Sequence, residues 1–94
     1  EVPVTDPECT RFWMTMREAV ALVDEAVTTY ALRLIPKLPA YRLADLAKAM
    51  GALMRVTGLP AWEKKHECME EGNCSNTVDR LSVAELRERL ACLP

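Results

Sequence analysis

The sequence predicts an all-α fold: a small bundle of about four helices, with a long first helix and a proline hinge at 36–39. Three observations predict it. Apolar residues recur at intervals of three and four along most of the chain. Helix-capping signatures stand ahead of the first and last of these stretches. No segment alternates with period two, and no Asn-Gly or Asp-Gly hairpin turn is present. A chain of 94 residues makes one helical domain, 1–94, with room for a single modest core.

The first helix is expected over about 7–35. Asp6-Pro7-Glu8 supplies an N-cap acceptor, a proline where no donor is missed, and an acid at the positive end of the helix dipole. Phe12, Met16, Val20, Val23, Val27, Tyr30 and Leu34 then draw one apolar stripe along a helix roughly 40 Å long. A stripe of that length needs a partner, so Val20, Val23 and Val27 are read as a self-association surface. Pro36 and Pro39 turn the chain.

A second helix is expected over about 41–56, with Leu43, Leu46, Ala47, Met50, Leu53 and Met54 on one face. Ala44, Ala47, Gly51 and Ala52 let a neighbour approach closely, and Gly58 with Pro60 stops it. The third helix, about 61–71, is sparsely apolar and ends at Gly72. The fourth, about 83–92, carries the capping box Ser82-Val83-Ala84-Glu85 and a hydrophobic staple from Leu81 to Leu86.

Half the residues are hydrophobic and 28% are charged, with a net charge of −2, which is a globular balance. No apolar run reaches the roughly 18 residues of a membrane span, so no membrane partner is expected. A chain starting at Glu1 with no signal-peptide pattern reads as a processed or excised form.

The stretch His66-Glu67-Cys68-Met69-Glu70-Glu71-Gly72-Asn73-Cys74 concentrates the chemistry-bearing residues. Cys9, Cys68, Cys74 and Cys92 can form two disulfides in any of three pairings, or stay reduced as buried thiols. Asn73-Cys74-Ser75 is a glycosylation sequon, meaningful only on a secretory route. His66, Cys68, Cys74 and Cys92 nominally make a zinc set, but His66 and Cys68 are two apart on the expected helix and point to opposite sides, so no metal is predicted. Glu63-Lys64-Lys65-His66 matches Glu-x-x-His of carboxylate-bridged helical bundles, and only a symmetric dimer borrowing Glu18 or Glu25 would complete it. Cys68 and His66 have the wrong spacing for a nucleophile and base. His66 is expected on the wet side of the third helix, where His66→Ala would leave folding intact.

With no glycine-rich loop, the sequence predicts neither an enzyme nor a bound cofactor. From Tyr30 to Thr57, Arg33, Lys37, Arg42, Lys48 and Arg55 stand against the single acid Asp45, which suits an anionic partner such as nucleic acid.

Tyr41-Arg42-Leu43-Ala44-Asp45-Leu46-Ala47-Lys48-Ala49-Met50, continuing to Met54-Arg55-Val56, resembles the helical core of phage small terminase subunits. The resemblance implies an oligomer that recognises viral DNA for packaging. The function expected from the sequence is thus a non-catalytic helical interaction module, a homo-oligomer or the partner of another helical protein, with a small-terminase-like role. The alternatives are a secreted, disulfide-stapled helical ligand or effector and a ferritin-like metal-binding dimer. The compartment follows the reading, cytoplasmic for a terminase-like subunit and extracellular for a disulfide-bonded ligand.

Overall fold

The computed structural model of the chain describes residues 1–30 and 32–94. Among them the chain forms three helices and six short strands, not an all-α bundle. The order is β1 (Val2–Val4), β2 (Thr10–Phe12), α1 (Met16–Thr28), β3 (Ala40–Arg42), α2 (Leu43–Ala49), β4 (Met54–Val56), β5 (Cys68–Glu70), β6 (Asn73–Cys74) and α3 (Val83–Ala91). The strands form three pairs: β1 with β4 in parallel, β2 with β3 antiparallel, and the hairpin β5–β6.

Local chemistry explains where the expected long first helix fails. The Asp6 carboxylate accepts from Glu8 N at 2.8 Å and its carbonyl from Cys9 N at 3.1 Å, which closes a turn instead of opening a helix. The chain then leaves that turn extended, as β2. The true cap is Thr15, whose hydroxyl accepts from Glu18 N while the Glu18 carboxylate accepts from Thr15 N, a second capping box. At the other end Thr28 and Thr29 hydroxyls donate back to the carbonyls of Asp24 and Glu25, and Tyr30 takes a left-handed φ of 55°. Ala31, inside the expected first helix, lies outside the described residues.

The expected helix over 41–56 also divides. Gly51, at φ +69°, donates to Lys48 O, and Ala52 N donates to Ala47 O. That pairing is a Schellman ending, so Gly51 terminates α2 and frees Met54–Val56 to pair with β1. Segment 61–71 is not helical. Gly72 has the φ of +80° expected of a helix terminator, but it turns the β5–β6 hairpin instead.

Cys9, Thr10, Ala40, Ala44, Ala47, Ser75, Leu81 and Leu86 are buried. Ala44 and Ala47 are the buried residues of α2, which packs on α3. Leu81 N donates to Ala40 O and Ala40 N to Asp79 O, which stitches the lead-in of α3 to β3.

The capping box of α3 is present: Glu85 N donates to Ser82 Oγ at 3.1 Å and Ser82 N to Glu85 Oε1 at 3.0 Å. Ser82→Ala is expected to cost about 1 kcal/mol, read as a lower urea midpoint. The backbone hydrogen bond from Ser82, joined by its side chain, holds the Glu85 carboxyl below the usual carboxylate range. A folded-state pKa below the unfolded one gives stability that is present above the unfolded value and lost as pH falls through the folded one. The α3 amide signals are therefore expected to lose protection on acidification, and Glu85→Gln should flatten that dependence.

Candidate functional site

Arg11, at the centre of β2, reaches across to the segment ahead of β5. Its Nη1 donates to Thr10 O at 2.7 Å and Lys65 O at 2.9 Å, and its Nη2 to Lys64 O at 2.7 Å. Its Nε lies 3.2 Å from Glu67 Oε1, and Nη2 lies 3.6 Å from Glu63 Oε1. A guanidinium has five N–H groups in a rigid fork, and here three of its hydrogen bonds go to main-chain carbonyls while two carboxylates flank it. Arg11 is therefore a clamp that fixes residues 63–67 on β2.

A buried hydroxyl pair backs the clamp. Thr10 and Ser75 are both fully buried, with their hydroxyl oxygens 2.6 Å apart, and Thr10 Oγ1 lies 2.6 Å from His66 Nδ1. Ser75 Oγ accepts from Glu67 N at 2.9 Å and donates to Thr10 O at 3.1 Å. Each hydroxyl has one proton. With Ser75 donating to the carbonyl, Thr10 donates to Ser75, and His66 Nδ1–H donates to Thr10. His66 is therefore half-buried in a network and not on a wet helix face. His66→Ala is expected to cost about 1–2 kcal/mol in a denaturant titration, since it leaves the Thr10 hydroxyl short of a donor.

Outside the clamp is an open cleft of about 390 Å³ bounded by Arg11, Trp62, Glu63, Lys64, Glu67 and Cys68. Trp62 is 83% exposed, and Lys64 makes no ion pair among the described residues. Tyr41 stands beside β2 in edge-to-face contact with Trp13, ring centroids 6.0 Å apart. Burial pushes its phenol up, and the charge of Glu67 adds to the shift, so Tyr41 is a neutral hydroxyl at physiological pH. A larger cleft of about 710 Å³, with Lys37, Leu38, Asn73 and Arg89 on its wall, lies between the segment before β3 and α3. Among the described residues its polar side chains are not tied into a comparable network.

The residues singled out from sequence are scattered. Arg33 pairs with Glu70 at 3.6 Å, Arg55 with Glu1 at 3.8 Å, and Arg42 with Glu8 and Asp45 at 2.9 and 3.0 Å. Lys48 is exposed on α2, and Lys37 lines the larger cleft. Val20, Val23 and Val27 are 61%, 64% and 67% exposed, and no residue of α1 is buried. Cys68 and Cys74 are bonded to each other, whereas Cys9 is a buried thiol and Cys92 an exposed one. Among the described residues no three His, Cys, Asp or Glu converge on a metal position. Glu63 is occupied by Arg11 and Thr5, and His66 by Thr10.

Both sides of the clamp fall within residues 1–83, which match the family model described as polysaccharide biosynthesis protein. The chain belongs to this polysaccharide biosynthesis protein family. Two relatives from Campylobacter jejuni subsp. jejuni, of serotypes O:2 and O:23/36, carry the name UDP-N-acetylglucosamine 4,6-dehydratase (inverting). They are 34% and 33% identical to the chain over 73 residues, covering 73% of it and 22% of each relative. The chain thus spans less than a quarter of the length of the curated relatives it matches.

Membership in the polysaccharide biosynthesis family overturns the terminase resemblance, and with it DNA packaging and the non-catalytic interaction module. The segment that carried the resemblance is strand, short helix and strand in the structure, not one helix. The secreted ligand and the ferritin-like dimer fall with them. The expectation of no enzyme is likewise corrected, because the named relatives are enzymes.

Sequence reasoning missed Thr10, Arg11, Tyr41, Trp62 and Ser75 as site residues. The clamp joins residues more than fifty positions apart, and no local spacing marks such a pair. One signal was legible: Thr15-Met16-Arg17-Glu18 is itself a capping box and ends the preceding segment before residue 15.

Proposed function

We propose that the chain forms one wall of the sugar-nucleotide site of a dehydratase acting on a UDP-linked amino sugar. The single observation behind this reading is the family match over residues 1–83, which contains the whole cleft around Trp62 and Lys64. The chemistry of the cleft supports it. An exposed indole offers a flat face to a uracil or hexose ring, and an unpaired ammonium suits a diphosphate. Arg11, which binds the Lys64 and Lys65 carbonyls, acts as a positioning residue that holds Lys64 and the segment next to Trp62 in place.

Dehydration needs one group to take a proton from carbon and another to give a proton to the departing hydroxyl. Glu63 and Glu67 are engaged by Arg11, so the wall is assigned binding and orientation. The glycines at 51, 58 and 72 form no phosphate loop, and a dinucleotide cradle belongs, in this proposal, to other parts of the whole protein. The same parts cover the bare apolar stripe of α1.

Calorimetric titration of UDP-N-acetylglucosamine into the whole protein tests the assignment. Lys64→Ala is expected to weaken binding about tenfold, the scale of one charge-assisted hydrogen bond, and Trp62→Ala by a similar factor. Unchanged affinity in both variants would remove the cleft from the site.

A further inference from the structure

We propose that the Cys68–Cys74 bond is a redox lock on the clamp, so that its reduction loosens the segment holding Trp62 and Lys64. The cysteines sit directly opposite each other across β5 and β6, in a hairpin whose pairing is irregular between Cys68 and Glu70. A two-stranded hairpin this short has little stability of its own. Immediately outside the bond, Ser75 N donates to Glu67 O at 2.7 Å and Glu67 N to Ser75 Oγ at 2.9 Å. Ser75 continues to the buried Thr10, and Glu67 to Arg11. The covalent link therefore holds together the two arms on which both the hydroxyl network and the guanidinium fork depend.

Cys68 is exposed and Cys74 is half-buried, so an external dithiol reaches Cys68 first. Its thiolate attacks Cys68 Sγ, the protein S–S bond breaks, and Cys74 leaves as a thiolate that takes up a proton. The second thiol of the reagent then displaces Cys68. The protein gains two electrons and two protons, and the dithiol leaves as its cyclic disulfide. Cys9, buried, and Cys92, at the end of α3, take no part.

The test is amide hydrogen exchange of the full chain with and without dithiothreitol, beside the double variant Cys68→Ser, Cys74→Ser. Reduction is expected to speed exchange at Thr10, Glu67 and Ser75 by about tenfold or more while leaving Leu86 in α3 unchanged. The double variant should exchange like the reduced protein and ignore the reagent. Unchanged exchange at Thr10 and Ser75 on reduction would overturn the lock. So would a response that persists in the double variant, general loss of protection including Leu86, or an oxidised protein whose peptide map shows Cys68 and Cys74 unjoined. The readout needs no substrate, so it stands apart from the dehydratase proposal.

Discussion

Arg11→Ala is expected to lower the stability of the chain by about 3 kcal/mol, the largest effect of any single surface-proximal change. Truncation removes the ion pairs to Glu63 and Glu67 and leaves the carbonyls of Lys64 and Lys65 without the donor that pulls them onto β2. The loss exceeds that of an ordinary surface pair because Arg11 is only 21% exposed and its partners are mostly main-chain groups. Arg11→Lys should recover little, since one ammonium cannot match a five-donor fork. Urea denaturation reads the loss, and a change under about 1 kcal/mol would mean that residues 63–67 hold their place without the clamp.

Val23→Asp should have consequences of very different size in two settings. In the chain alone Val23 is 64% exposed and no residue of α1 is buried, so the change should shift stability by no more than about 0.5 kcal/mol. In the whole protein, where the stripe of Met16, Val20, Val23 and Val27 is proposed to be covered, a buried unpaired carboxylate should cost about 3 kcal/mol or more. Thermal unfolding of both pairs measures the contrast. Light scattering distinguishes a second copy as the covering surface, for then the chain alone would associate and Val23→Asp would split it.

Particular residues show how much of this was readable in advance. Ser82 and Glu85 specify α3 locally, and the helix stands there. The stripe from Met16 to Val27 also specifies a helix, with a start set by Thr15 and Glu18 rather than by Asp6. Asp6 was misleading because an N-cap acceptor and a turn acceptor are the same side chain making the same kind of bond. Gly51 and Gly72 were ambiguous in a similar way: a positive φ ends a helix or turns a hairpin, and only the partner strand decides. Strands of two or three residues carry too few positions for alternation to show. The site was less legible still, because Thr10, Arg11, His66 and Ser75 come from three separate stretches and are joined only by long-range hydrogen bonds.

The proposed role of the cleft at Trp62 and Lys64, as a wall of a UDP-sugar dehydratase site, is put to the test by incubating the whole protein with UDP-N-acetylglucosamine and following the nucleotide sugar by mass spectrometry. A product lighter by one water is expected, formed by the unaltered protein and sharply slowed in the Trp62→Ala, Lys64→Ala double variant. A nucleotide sugar that stays unchanged, or a double variant that dehydrates it as fast as the parent, would contradict it.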